Sequence, residues 1–126
     1  MDFPEGILAD HQIEAALDAG FIRSDAALAP LQVQPASLDL RLGDKAYRLR
    51  ASFLPNGRTV EDCLTDDIVM HEVDLNEGAV LETGCVYLVP LQESLALPAG
   101  LTATANPKSS TGRVDVFVRL IADGVS

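Results

Sequence analysis

Short apolar runs separated by glycine and proline constrain the fold of this chain more than any other sequence feature. In many of these runs apolar and polar residues alternate, which is the period of a strand with one buried face. The runs predict strands at 38–42, 45–50, 68–75, 79–82, 85–91, 101–105 and 114–121. Many short strands with turn residues between them indicate a mainly β fold, either closed or built from two sheets.

One short helix is predicted near the start of the chain, at residues 10–19. Asp10 suits its N-cap, and Gly20 is placed to end it. Two prolines within residues 21–36 prevent a second helix there, so this stretch is predicted to be an extended connection.

A hairpin is predicted around Gly43 and Asp44, because alternating runs lie on both sides of this short break. Asp39 and Arg41 lie on the face opposite the leucines of the first run. Their expected role is an ion pair, cross-strand or on the same face, that holds strands together. The acidic stretch that follows, residues 51–66, is predicted to be a loop without a metal, since its carboxylates lack the spacing of a calcium loop.

The length and charge of the chain limit the kinds of partner it can have. Its 126 residues fit one domain that can bury a core without disulfides or a metal. Its formal net charge of −10 argues against binding a nucleic-acid polymer, because such binding neutralises backbone phosphates with cations. A single nucleotide is compatible with this charge, since Lys108, Arg113 and Arg119 would suffice if the fold gathers them.

The sequence gives no indication of a membrane protein. No apolar run approaches the length needed to cross a bilayer, and residues 1–6 lack the apolar core of a signal peptide. We therefore predict a cytoplasmic protein with no membrane partner.

The stretch Asn106–Arg113 carries two cations, three hydroxyls, a proline and a glycine between two apolar runs. Hydroxyls and backbone amides in a tight turn, with Lys and Arg beside them, suit an anion with several oxygens, such as a phosphate. An ordinary polar turn between strands is the alternative, because turns commonly collect serine, glycine and proline.

Two motifs in a fixed order resemble the dCTP deaminase family of the dUTPase-like superfamily. The first is Gln34–Gly43, with the pattern P-x-S-x-D-L-R-L-G, and the second is the Lys-Ser-Ser-Thr-Gly-Arg run at 108–113. The resemblance runs from about Ile7 to the end and is greatest to the N-terminal part of the long, two-domain members. It implies a distorted jelly-roll or β-barrel of dUTPase-like type with one short N-terminal helix.

The resemblance also implies roles for four residues of the second motif. Ser109 matches the serine that positions the attacking water, and Arg113 matches the arginine beside the base and that water. Lys108 and Ser110, together with Arg113, match positions that hold the triphosphate. Lysine stands here where short members usually have arginine, which replaces a bidentate fork with a point charge.

The family implies hydrolytic deamination of dCTP to dUTP and ammonia, with Mg²⁺ accompanying the triphosphate, and a homotrimer in the complete protein. It uses no zinc. The sequence agrees, because zinc deaminases need an H-x-E and a later P-C-x-x-C, and this chain has neither.

The chain departs from the family pattern at its C-terminal end. The family's catalytic glutamate lies about two dozen residues after the Ser-Ser loop, whereas this chain stops at Ser126. Glu82 and Glu93 match no catalytic position. Residues 1–126 are therefore predicted to be a domain that is incomplete at its C-terminus and inactive alone, with sheet edges open to association.

Two other functions remain open from the sequence. The first is dUTP diphosphatase activity, alone or combined with deamination, because the fold is shared. The second is a noncatalytic nucleotide-binding or assembly module.

Overall fold

The computed structural model describes residues 3–121 and is built mainly of short strands, as predicted. Three helices are present in this range: α1 (Asp10–Asp18), α2 (Val60–Cys63) and α3 (Ser109–Gly112). The seven strands are β1 (Ile22–Ser24), β2 (Val33–Gln34), β3 (Ser37–Leu38), β4 (Lys45–Leu49), β5 (Val69–Asp74), β6 (Val86–Leu88) and β7 (Glu93–Leu95).

Helix α1 confirms the predicted helix but begins differently. Its N-cap is Ala9 rather than Asp10, and the Ala9 N–H donates to the Gln12 side chain at 2.8 Å. Gln12 thus supplies the half of a capping box in which the third helical residue accepts from the N-cap N–H, and the N-cap residue itself provides no side-chain cap. The helix ends before Gly20, whose φ of +78° reverses the chain at little steric cost. The buried face carries Ile13 and Ala16.

The largest sheet has three antiparallel strands in the order β5-β4-β6. Ala46 of the central strand is fully buried. At the edge, Lys45 Nζ lies 2.9 Å from Glu72 Oε1 of β5. The hydrogen bond to this carboxylate, with its negative charge, raises the pKa of Lys45. Strands β5 and β6 confirm the central parts of the predicted strands at 68–75 and 85–91.

The predicted hairpin at Gly43 and Asp44 is wrong. The residues before this break pair with other parts of the chain: β3 pairs with β2 through a turn at Pro35 and Ala36, and Leu42 bridges Leu91. The residues after it form β4, which pairs with β5 and β6. The alternation marked extended backbone correctly, but it carries no information about which strand is the partner.

Three predicted strands, at 79–82, 101–105 and 114–121, are also wrong, because they have no ladder partner within residues 3–121. An extended segment becomes a strand only when its backbone groups pair with a neighbour. The predicted connection at 21–36 contains β1 and β2, and the predicted loop at 51–66 contains α2. Strand β1 pairs with β7, so that Ile22 faces Leu95.

Gly43 lies at the closest approach between the segment 41–43 and the segment 90–92. Its N–H donates to the Pro90 carbonyl oxygen at 2.7 Å, and a Cβ built on it would lie 2.9 Å from that same oxygen. Because the obstacle is backbone, the two segments would have to separate.

We expect Gly43→Ala to lower the free energy of unfolding by about 1–2 kcal/mol, measured by denaturant titration. Gly112→Ala is the matched control, since a Cβ there meets nothing within 4 Å and Gly112 has no positive φ. Equal stabilities of the two variants would contradict the prediction.

No helix within residues 3–121 has the length and apolar character that crossing a membrane requires.

Candidate functional site

A buried polar network joins Gln32 and Arg41 to Glu93, which lies more than 50 residues later in the sequence. Glu93 opens β7, and its side chain is 1% exposed. Its carboxylate accepts from the Arg41 backbone N–H and from Arg41 Nε, both at 2.9 Å. It also accepts from Gln32 Nε2 at 2.6 Å. The buried charge is therefore paired and hydrogen-bonded, which is the condition for tolerating it.

The surroundings of Glu93 act on its pKa in opposite directions. Burial alone raises the pKa of this carboxyl, because desolvation disfavours the charged form. The hydrogen bonds from Arg41 and Gln32 outweigh burial, and the pKa of Glu93 is lowered. Glu93 is thus held ionised, so it is suited to fix its neighbours and unsuited to act as a proton acceptor near neutral pH.

Arg41 connects this carboxylate to the loop after β1. Its Nη2 donates to Ser24 Oγ at 2.7 Å, and its Nη1 donates to the Ala27 carbonyl at 2.9 Å. Arg41 forms an ion pair, as the sequence predicts, but its partner is Glu93 of β7 and Arg41 itself lies outside the strands. Asp39, the other half of that prediction, pairs elsewhere.

Asp39 lies between Gln32 and Arg41 in the sequence, and it bonds both to Gln32 and to Lys108. Its backbone N–H donates to the Gln32 carbonyl at 3.0 Å, and its carbonyl accepts from Gln32 Nε2 at 2.9 Å. Its carboxylate Oδ2 is 2.5 Å from Lys108 Nζ. This ion pair brings one of the predicted phosphate-binding residues to the surface of the network.

An open pocket of about 430 Å³ lies at this surface. The segment 29–34 forms one wall, 39–41 forms the other, and Lys108 lies at its edge. Asp39 and Lys108, which form the ion pair, both line this pocket, whereas the guanidinium of Arg41 bonds to Glu93, Ser24 and Ala27.

The other predicted site residues lie on α3, directly after Lys108. Lys108 is the N-cap of this short helix, Ser109 and Ser110 form its first turn, and Arg113 is its C-cap. Within residues 3–121, the side chains of Ser109, Ser110 and Arg113 are exposed and make no hydrogen bond or ion pair to another residue. The structure brings Lys108 to the pocket, while Ser109, Ser110 and Arg113 do not line it.

A second, mainly apolar cleft of about 2300 Å³ is lined both by leucines of the preceding chain and by Val116 and Val118 of the segment 101–121. Arg119 lies on this segment, and its Nη1 donates to the neighbouring Val118 carbonyl. Within the described range, no hydrogen bond joins Arg119 to Lys108 or Arg113, so the structure does not show the three cations as one cluster.

No three His, Cys, Asp or Glu side chains in residues 3–121 lie together in an arrangement that would hold a metal ion. The cysteines of this range, Cys63 and Cys85, are free thiols.

Gln32 and Glu93 are the residues that sequence reasoning missed. Glu93 matches no catalytic position of the family, and in the structure its carboxylate holds Arg41 and Gln32. The sequence does contain one indication that Glu93 is buried. It is the single acid in the predominantly apolar stretch 86–97, which favours burial beside a cation. Its partner Arg41, 52 residues earlier, could not be read from the sequence.

Comparisons with known proteins agree on one family. Residues 4–126 match the sequence model of the N-terminal domain of 2′-deoxycytidine 5′-triphosphate deaminase. The dCTP deaminase of Natronomonas pharaonis is 33% identical over 125 residues, covering 92% of this chain and 60% of that protein. A protein of Corynebacterium kroppenstedtii named "dCTP deaminase, dUMP-forming" is 31% identical over 120 residues, with 92% and 61% covered.

A solved structure gives the same result for the fold. The crystal structure of 2′-deoxycytidine 5′-triphosphate deaminase from Agrobacterium tumefaciens superposes with a TM-score of 0.88 at 62% identity. The superposition covers 94% of this chain and 36% of that one. The chain thus spans about three fifths of the curated relatives and about a third of this longer protein. With the family model matched over almost its whole length, the chain belongs to the dCTP deaminase family and has its dUTPase-like fold.

Proposed function

We propose that the protein containing this chain is a dCTP deaminase, which converts dCTP and water to dUTP and ammonia. The observation that supports this most strongly is the family match over residues 4–126, which includes both motifs. The accessible Lys108–Arg113 segment adds to it, because the side chains that this reaction would use face solvent.

Within this proposal, Ser109 positions the attacking water and Arg113 lies beside the base and that water. Lys108, Ser110 and Arg113 hold the triphosphate. The exposed hydroxyls and guanidinium of this segment support the assignment, since they have no protein partner in the described range that a nucleotide would need to displace. An Arg guanidinium and a Lys ammonium form charge-assisted hydrogen bonds with phosphate oxygens.

The remaining parts of the proposal follow the family. Mg²⁺ accompanies the triphosphate, because it commonly binds through phosphates and water, and no zinc takes part. The complete protein is a cytoplasmic homotrimer that acts on a free nucleotide. The formal charge of −10 supports the free nucleotide over a nucleic-acid polymer.

Product analysis of the full-length protein tests the reaction. We expect ammonia release from dCTP in the presence of Mg²⁺, with dUTP as the nucleotide product. Since some relatives carry the name dUMP-forming, pyrophosphate is measured in the same reaction. Ammonia with stoichiometric pyrophosphate would identify the combined reaction, and pyrophosphate from dUTP without ammonia from dCTP would identify a diphosphatase. Binding of dCTP with neither product would identify a noncatalytic module.

A further inference from the structure

One ion pair connects the segment that carries the proposed nucleotide residues to the rest of the domain. Among the described residues, Lys108–Asp39 is the only hydrogen bond or ion pair between 102–121 and 3–100. The other hydrogen bonds of this segment are local, such as that from Thr111 Oγ1 to the Lys108 carbonyl at 2.7 Å. The position of Lys108 relative to the pocket therefore depends on Asp39.

The backbone of Asp39 is in turn fixed by hydrogen bonds to the buried network. Both of its backbone polar groups bond to Gln32, which is 4% exposed and bonds in turn to Glu93. The Gln32 carboxamide is fully used, because its Oε1 also accepts from the Ala29 N–H at 3.0 Å. The Asp39 carboxylate thus projects from a backbone that the buried network fixes, whereas Lys108 is anchored only through that carboxylate.

The chemistry of the ammonium group allows it to bind Asp39 and a ligand together. An ammonium group has three N–H donors, and one satisfies Asp39. The Lys108 side chain is 59% exposed and the Asp39 side chain is 30% exposed, so the remaining donors are accessible from solvent. A free lysine side chain also loses considerable rotamer entropy when a ligand fixes it, and a partner that orders it beforehand lowers this cost.

We propose that Asp39 is a positioning residue for the triphosphate: it holds Lys108 Nζ at the edge of the pocket and orders it before the nucleotide binds. The inference rests on the proposed function, since it takes Lys108 as a phosphate ligand. Asp39 is not a direct ligand in this inference. A carboxylate would repel the phosphates unless the ammonium of Lys108 lay between the two groups.

The test compares two ligands that differ only in their phosphates, dCTP and 2′-deoxycytidine, with the full-length protein. Dissociation constants are measured for the wild type, Asp39→Asn, Lys108→Gln and the double variant. Asp39→Asn keeps the shape of the side chain and both backbone bonds to Gln32, so the fold is expected to persist. Asp39→Glu retains the charge on a longer side chain. Glu72→Gln is the matched control, because Glu72–Lys45 is also an exposed carboxylate–lysine pair; it joins β5 to β4, and neither residue lines the pocket.

We expect Asp39→Asn to weaken dCTP binding about three- to fivefold, the upper range of an exposed ion pair. Binding of 2′-deoxycytidine should not change, and Asp39→Glu should recover part of the loss. In the Lys108→Gln background, Asp39→Asn should cause no further loss, because its effect acts through Lys108. Glu72→Gln should bind both ligands as the wild type does.

Three results would overturn the inference while leaving the proposed function intact. These are unchanged dCTP binding in Asp39→Asn, tighter dCTP binding in that variant, or an equal loss with and without Lys108. Tighter binding would show that Asp39 competes with the phosphates for Lys108. A wild-type protein that does not bind dCTP more tightly than 2′-deoxycytidine would instead contradict the proposed function itself.

Discussion

Replacing Glu93 with glutamine is expected to lower the free energy of unfolding by about 3 kcal/mol. Glutamine has nearly the same shape, but it removes the charge that Arg41 faces and turns one acceptor into an NH₂ donor. That NH₂ would point at either Gln32 Nε2 or the Arg41 donors, all of which need an acceptor. Breaking one side of a buried pair is costly because the other side keeps its charge without compensation.

Denaturant titration of Glu93→Gln and the wild type measures this difference directly. Glu72→Gln is the control, since it removes a carboxylate from an ion pair in which both side chains are about half exposed. Screening by solvent makes such a pair nearly neutral for stability. Similar stabilities for Glu93→Gln and Glu72→Gln would contradict the structural role assigned to Glu93.

The lowered pKa of Glu93 also predicts how the free energy of unfolding depends on pH. The unfolded carboxyl titrates at the ordinary pKa of a glutamate, and the hydrogen bonds from Arg41 and Gln32 hold the pKa of the folded carboxyl below it. The stabilisation is therefore fully present above the unfolded pKa and is lost as the pH falls through the folded pKa. The difference in stability between the wild type and Glu93→Gln should accordingly shrink in acid.

Replacing Arg113 with alanine is expected to weaken dCTP binding by about 1.5–3 kcal/mol, which is about 10- to 150-fold. The Arg113 side chain makes no hydrogen bond or ion pair inside the described structure. Its loss should therefore leave stability unchanged and act only through the ligand. Dissociation constants from calorimetry, together with unfolding curves, separate these two effects.

Arg119→Ala is the matched control for Arg113→Ala. Arg119 is also exposed on the segment that follows α3, and its one hydrogen bond in the described range goes to the neighbouring Val118 carbonyl. Equal losses from the two variants would show that only the net charge of the segment matters. Unchanged affinity in Arg113→Ala would remove Arg113 from the phosphate site.

Local patterns predicted the parts of the fold that depend on local chemistry. The apolar face and terminal glycine of α1 were sufficient to place it, and alternation located the cores of β5 and β6. Pairing partners were not predictable in the same way. The residues before and after Gly43 alternate equally well, yet they pair with β2, with Leu91 and with the outer strands of the three-stranded sheet.

In the candidate site, too, local patterns located the residues but not the contacts that hold them. The motifs located Lys108, Ser109, Ser110 and Arg113 as one segment, and the structure places them together on and beside α3. Their roles toward a nucleotide stay predictions. What the sequence could not show is how the segment is held, because the Asp39–Lys108 pair joins residues 69 positions apart.

The pairing of β1 with β7 has a consequence for the order in which the domain can assemble. It joins Ile22 to Leu95, whereas the connection between β4 and β5, from Leu49 to Val69, is much shorter and contains α2. Closing the longer loop costs about 1 kcal/mol more chain entropy. We therefore expect the three-stranded sheet to form at the lower entropic cost, and the bond between Gln32 and Glu93 to form in the slower, nonlocal step. The backbone support of Asp39 would then be complete only after β1 and β7 have paired.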